Sequence, residues 1–237
     1  MEMTQGNFSF DAIGEVHSCF LEKFGIPRQA GLAPSAFAEI HLRPEYASEE
    51  AVRGLEKFSH IWVLFIFHAH LGAGWKPTVR PPRLGGNRRM GVYATRSPFR
   101  PNPIGLSVVR LDRVSVNDGS VVLFVSGGDF VDRTPVLDIK PYLPYGDAVE
   151  GASGGFAVDC PESCLDVYFS PAVHAQCRAD VLAGRRDLRP LISEILSMDP
   201  RPAYSRRSGP FGTKIAGYEV RWFFREQGVE VTELFPL

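Results

Sequence analysis

Residues 105–126 read GLSVVRLDRVSVNDGSVVLFVS, two apolar β-branched runs on either side of Asn117-Asp118-Gly119. β-branched side chains fit extended backbone, and an Asn-Asp-Gly step supplies residues that tolerate the positive φ of a tight hairpin turn. The stretch predicts a β-hairpin, residues 105–114 against 120–126. Working outward, residues 8–19, 36–42, 60–68 and 136–140 also read as strands, the last closed by Pro141. Residues 60–68 are β-branched and aromatic over more than one period, which predicts a strand buried on both faces. Ser48-Glu49-Glu50 is a helix-opening pattern and predicts one or two helical turns over 48–54. Many short strands, loop-rich connections and no βαβ alternation predict a mainly β fold, a barrel or sandwich, and exclude a Rossmann sheet.

The remainder changes character. Residues 151–155 form a small-residue linker that predicts a boundary between a β-barrel over 1–152 and a small α+β domain over 160–237. Ser170-Pro171 is a capping residue followed by proline at the first helical position, opening a helix to about residue 183. Asp187 is expected to cap a second helix through residue 198, with Leu188, Leu191, Ile192, Ile195 and Leu196 on one face. Asp199-Pro200-Arg201-Pro202 stops it. Residues 203–212 read as a polar loop carrying Arg206 and Arg207, and 218–226 with 229–235 as a closing hairpin about Gln227-Gly228.

Composition sets outer limits. The chain has 237 residues, 44% hydrophobic and 22% charged, enough to bury a substantial core. No basic-then-apolar leader opens it, and the longest apolar run, residues 61–67, is far too short to span a bilayer; a cytoplasmic protein with reduced cysteines is expected. Cys160 and Cys164 have C-x-x-x-C spacing, neither a redox pair nor a zinc half-site. His68 and His70 would share a strand face, but no sulfur or carboxylate ligands lie near them in sequence, so no metal is expected.

The 26 basic and 27 acidic residues nearly cancel, yet residues 57–111 contain no Asp or Glu. Inside that block, RPPRLGGNRRMGVYATRSPFRPNPIG (80–105) holds five prolines, four glycines and six arginines. Proline lacks a donor N–H and glycine carries extra backbone entropy, so the segment predicts a fixed loop system rather than a helix or central strand. Arg80, Arg83, Arg88, Arg89 and Arg100 become candidate phosphate contacts, because a field of one sign attracts polyanions such as RNA. Pairing of these arginines with the acids that return after residue 111 is the competing reading.

Three segments carry a resemblance: GLEKFSHIWVLFIFH, KPTVRPPRLGGNRRMGVYATRSPFRPNPIGLSVV and TPVLDIKPYLPY, joined by DPRPAY near the end. They are similar to the TsaA/TrmO family across nearly the whole chain. The resemblance implies an S-adenosylmethionine-dependent tRNA methyltransferase on a β-barrel, acting on N6 of threonylcarbamoyl-adenosine at position 37 of threonine tRNAs. It also implies a homodimer with the cofactor near the subunit interface. The family's cofactor positions fall here on Pro27, Arg28 and Gln29, on His68 and Ala69, on Arg96 and Leu106, and on Asp132, Arg133, Thr134 and Pro135. Arg133 stands where the family motif reads glycine, and Ala69 where a longer polar residue is common.

The chemistry suits these residue types. Sulfonium activates the methyl group, so the protein mainly aligns nucleophile, carbon and leaving sulfur. Arg28 or Arg96 could anchor the cofactor carboxylate, and Leu106 with Ile104 could hold adenine. Asp138 or Asp132 is the candidate base for the N6 proton, although a loop-holding carboxylate is the commoner role; Tyr142 and Tyr145 are candidates to stack on the flipped base. Arg206 and Arg207 are candidate contacts to the anticodon loop from the second domain. A non-catalytic tRNA-binding barrel is the alternative from another class.

Overall fold

A computed structural model describes residues 8–160, 165–201 and 209–237. Six strands close an antiparallel barrel: β1 (Gly14–Ser18), β2 (Phe37–Leu42), β3 (His60–Ile66), β6 (Ile104–Asn117), β7 (Ser120–Ser126) and β8 (Thr134–Pro141), in the order β1-β2-β7-β6-β3-β8. A two-stranded hairpin, β4 (Thr78–Val79) with β5 (Met90–Gly91), lies in the loop system between β3 and β6. The short helices α1 (Glu49–Val52) and α2 (Pro144–Asp147) follow β2 and β8. Ser48 caps α1 by accepting from the Ala51 N–H at 3.2 Å.

The hairpin signal at 117–119 is realised. Asn117 faces Ser120 across a two-residue turn with Asp118 at φ 44° and Gly119 at φ 79°. Both central residues of such a turn need positive φ, and Asp and Gly are the types that accept it. β6 is long enough to serve two neighbours: its first half pairs with β3, and from Arg110 onward it pairs with β7, with an irregularity at Leu111/Arg113. An extra residue of this kind bends a strand, which a closing barrel requires.

The interior is filled by Val16, Ile40, Ile61, Val63, Val121, Leu123 and Val136, all fully buried, with Phe65 and Phe130 packed edge to face at 5.1 Å. Gly105 makes room for this arrangement, because a Cβ there would lie 2.2 Å from the Phe65 ring. The expectation that β3 is buried on both faces is overturned. Its burial alternates, with Ile61, Val63 and Phe65 inside and His60, Trp62, Leu64 and Ile66 partly exposed. The barrel core lies on one side of this antiparallel sheet, so within the single chain only alternate residues are fully buried. The first strand is shorter than expected, starting at Gly14 rather than residue 8.

The rest of the chain forms a four-stranded sheet, β10 (Phe211–Ile215), β11 (Tyr218–Arg225), β12 (Gly228–Pro236) and β9 (Val167–Phe169), with β9 parallel to β12. Helices α3 (Pro171–Leu182) and α4 (Arg189–Ser197) belong to this half. Ser170 caps α3, accepting from the Val173 N–H. Asp187 stands one residue before the cap position of α4, yet its carboxylate accepts from the Arg189 N–H at 3.0 Å at the helix start, the capping contact expected of it. Leu188 takes the cap position and is buried, while the Asp187 carboxylate pairs with the Arg189 guanidinium, which pulls its pKa below the ordinary carboxylate value. The polar loop ends earlier than expected, since Phe211 and Gly212 already belong to β10 and Phe211 stacks on Trp222 at 6.0 Å.

The core of this second half is not its own. Leu191, Ile192, Ile195, Leu196 and Trp222 pack in one cluster with Cys19, Phe20, Ala33 and Ala36 from the loop after β1. Glu194 accepts from both the Ser35 N–H and the Ser35 hydroxyl at 2.8 Å, and Phe20 bridges to Ile215. The loop that rims the barrel is thereby fixed by the C-terminal sheet and by α4.

Candidate cofactor and tRNA site

A cavity of about 660 Å³ opens at one end of the barrel. Its wall combines the end of β3 and the turn after it, the start of β6, the arginine-rich loop before β6, the loop after β1, and the β7–β8 connection. Its size lies within the range that holds drug-sized ligands.

Eight of the residues expected to hold cofactor meet in this one wall: Pro27, Arg28, Gln29, His68, Ala69, Arg96, Leu106 and Thr134. They come from five separated segments. Arg96 donates to Gln29 Oε1 at 2.7 Å, and Lys23 donates to the Ala69 carbonyl at 2.6 Å, so the facing loops are tied to one another. His68 and His70 are not on a strand as their spacing implied. Phe67 ends β3 and the chain turns into a single 3-10 turn, His70 N donating to the Phe67 carbonyl, which leaves both rings along the cavity. Burial, then Lys23 and His68, hold the His70 imidazole below its ordinary pKa.

Three of the expected positions stand outside the wall. Asp132 accepts from the Ser18 N–H at 2.9 Å, Arg133 extends to Glu15, and Pro135 faces Glu15 across the β1–β8 pair. Arg133 does take the glycine-like conformation, at φ 65°, held by its N–H on the Val16 carbonyl. Asp138 and Tyr142 are also not in the wall. Asp138 accepts from the Ile139 N–H and pairs with Lys140 at 2.7 Å, while Tyr142 packs against His60 and Trp62. Tyr145 is exposed.

Of the candidate phosphate contacts, Arg80, Arg88 and Arg89 are exposed and their side chains make no ion pair or hydrogen bond among the described residues. Arg83 reaches the Asp159 carbonyl. Arg100 is more inward: it donates to the Val92 and Thr95 carbonyls at 3.3 and 2.7 Å and lies 5.6 Å from the Tyr93 ring centre. Arg206 and Arg207 lie outside the described residues.

Two cavity residues carry no signal in the sequence. Asp129 lines the wall, accepts from the Ser107 hydroxyl at 2.6 Å and makes no ion pair among the described residues. Burial raises its pKa above the ordinary carboxylate value, opposed in part by Ser107, its own N–H, Arg96 and the Ala30 N–H. Phe99 lines the mouth with Lys76 Nζ 4.3 Å above its ring. A single acid between glycines and apolar residues reads as a turn, and a lone aromatic between prolines reads as packing.

The wall meets the requirements of S-adenosylmethionine on its own terms. His68 Nδ1 is buried with no partner among the described residues, Asp129 is a half-buried carboxylate with no ion pair among them, Arg28 and Arg96 are cationic, and Ile104 with Leu106 form an apolar side. Buried polar groups are normally satisfied, so such atoms mark where a ligand's polar groups go.

A closed antiparallel barrel with a polar, cation-rich cavity at its rim defines a class of small-molecule-binding barrels distinct from the doubly wound sheets that usually carry nucleotide cofactors. Within that class the chain belongs to the tRNA-methyltransferase O family: residues 15–148 match its N-terminal domain and 162–237 its C-terminal domain. It is 47% identical over 234 residues to the tRNA (adenine(37)-N6)-methyltransferase of Escherichia coli K12, covering 97% of this chain and 99% of that protein. It is 44% identical over 218 residues to a Pseudomonas aeruginosa protein named putative S-adenosylmethionine-dependent methyltransferase RcsF, covering 91% and 92%. The crystal structure of TrmO from Pseudomonas aeruginosa superposes with a TM-score of 0.81 at 37% identity, covering 98% of this chain and 99% of that one.

Proposed function

We propose that this protein transfers a methyl group from S-adenosylmethionine to N6 of the threonylcarbamoyl-adenosine at position 37 of threonine tRNA, in the cytoplasm and as a homodimer. The methyltransferase class, the tRNA substrate and the cofactor follow from family membership. The observation that carries the site is the convergence of Pro27, Arg28, Gln29, His68, Ala69, Arg96, Leu106 and Thr134 on one cavity.

When bound, the cofactor supplies a methyl group already activated by its sulfonium. The protein then has to bind, align and exclude water. Arg96, held by Gln29, and Arg28 take the carboxylate; Ile104 and Leu106 take the adenine; His68 Nδ1 accepts or donates one hydrogen bond to a polar edge. Transfer would form the N–CH3 bond as the S–CH3 bond breaks, leaving a neutral thioether, and the N6 proton would pass to water at the cavity mouth. The neighbouring carbamoyl carbonyl makes that N–H more acidic than in plain adenosine, which favours the threonylcarbamoyl form as substrate. Asp132, Arg133 and Pro135, outside the cavity wall, are assigned to holding the β7–β8 connection. Asp138 is tied to Lys140, and Tyr142 to Trp62, so neither is placed on the target base.

Exposed Arg80, Arg88 and Arg89 suit the tRNA backbone, and Arg206 and Arg207 of the second half suit the anticodon loop. The homodimer is supported by the outer side of β3 and β6. Leu64 faces Leu106 and Ile66 faces Ile104 across the pair, and Ile104 and Leu106 remain 38% and 50% exposed beside the cavity. Such an apolar strip is suited to cover by a second copy. The test is nucleoside mass spectrometry of threonine tRNA, with or without threonylcarbamoylation, incubated with the protein and S-adenosylmethionine. A mass gain of one methyl on the modified adenosine is expected; gain on unmodified adenosine alone, or none, overturns the proposal.

A further inference from the structure

Asp129 is the only carboxylate among the described residues that line the cavity, and it faces Lys23, Arg28, Arg96 and Arg100 in the same wall. A wall with that balance holds phosphates and carboxylates readily and would repel a cation. Yet Asp129 is half-buried without an ion pair among the described residues, one oxygen on Ser107 at 2.6 Å and the nearest cationic influence coming from Arg96. An uncompensated buried carboxylate is costly, so such a group ordinarily finds a counter-charge or takes up a proton.

The position is built for it. Gly127 and Gly128 precede Asp129, and a Cβ on Gly128 would lie 2.7 Å from the Phe130 ring, so the chain must pass close to that core ring to deliver the carboxylate to the wall. Ser107 points inward from β6 and is nearly fully buried, which leaves its hydroxyl little choice but Asp129.

We infer that Asp129, oriented by Ser107, recognises the positive charge of the sulfonium and so distinguishes the methyl donor from its spent product. This rests on the methyltransferase reading above. The donor carries a sulfonium; after transfer the sulfur is neutral, and the rest of the molecule is unchanged. An anion facing the sulfur therefore favours donor over product, which helps the product leave. Charge pairs removed from water are strong enough to make this difference visible.

The experiment is calorimetric titration of wild type and Asp129→Asn with S-adenosylmethionine, S-adenosylhomocysteine, and sinefungin, which replaces the methylsulfonium with a protonated amine. Asparagine keeps the shape and an oxygen for Ser107. The expected result is that Asp129→Asn loses roughly tenfold or more affinity for the two cationic ligands and little for S-adenosylhomocysteine. Equal losses on all three would mean that Asp129 meets the amino-acid end or the ribose, and sinefungin following S-adenosylhomocysteine would mean that charge is not what it reads; either overturns the inference. Wild type that binds none of the three ligands would instead sink the methyltransferase reading itself.

A second measurement needs no variant. Lys23, Arg28, Arg96 and Arg100, with His68 and His70, are the other charged and ionisable side chains that line the wall. The ratio of donor to product affinity should fall as Asp129 protonates; a ratio independent of pH overturns the inference.

Discussion

Arg96 donates a hydrogen bond to Gln29 Oε1 at 2.7 Å, joining two cavity residues 67 positions apart in the chain. The bond holds an otherwise exposed guanidinium over the cavity mouth, where it can meet a carboxylate with its remaining donors.

Arg96→Ala should therefore weaken S-adenosylmethionine binding by about tenfold, the scale of a lost charge-assisted hydrogen bond, with the unfolding temperature little changed. Gln29→Ala should weaken it less, since the charge stays and only its positioning is lost. Calorimetry on both variants checks the order; wild-type affinity for Arg96→Ala would remove Arg96 from the cofactor site.

Arg88 and Arg89, exposed and without a partner among the described residues, are the cleanest probes of the basic loop. Binding of tRNA should fall steeply with salt, and the double alanine variant should reduce the log–log slope by about one unit for each phosphate no longer neutralised. Arg100→Ala is expected to act differently, lowering stability through the Val92 and Thr95 carbonyls it leaves unpaired.

Trp222 is fully buried between Phe24 and Phe211, each ring centre 6.0 Å away. Trp222→Ala should cost about 3–5 kcal/mol of stability in denaturant unfolding. Because Phe24 leads directly into Ile26 and Pro27 of the cavity wall, the same change should weaken cofactor binding. The shared core of Phe20 with Ile192 and Trp222 further predicts one cooperative unfolding transition rather than two.

Asp129 also makes stability depend on pH. Burial raises its folded pKa above the unfolded value of 3.8, so the folded state holds the proton more tightly. Stability then falls as pH rises from the unfolded value through the raised one. Asp129→Asn should stabilise the ligand-free protein near neutral pH, and the advantage should vanish on acidification; thermal melts at pH 4 and 8 test this. An advantage of equal size at both would show that ionisation is not its cause.

Much of the fold is written in short stretches. The turn at Asp118-Gly119, the caps at Ser48 and Ser170, and the alternation of β6 are settled by residues within a few positions of one another. The site is legible only in part. Arg28, His68, Arg96 and Leu106 carry a motif, whereas Asp129 carries none, and its meaning emerges only when the β7–β8 connection is folded under the cavity.

The sequence by itself determined that the chain is mainly β, that its second half holds two helices and a hairpin, and that its arginines are concentrated before β6. Turn chemistry, capping and side-chain alternation act over a few residues, so the order of residues suffices for them. Tertiary structure decided that β1 meets β8 to close the barrel, that β3 sends alternate residues into its core, that His68 and His70 lie in a turn, and that residues 19–36 share a core with α4 and β11. Each of these is fixed by burial and pairing between segments far apart in the chain, and that free energy exists only once the distant partner is in place.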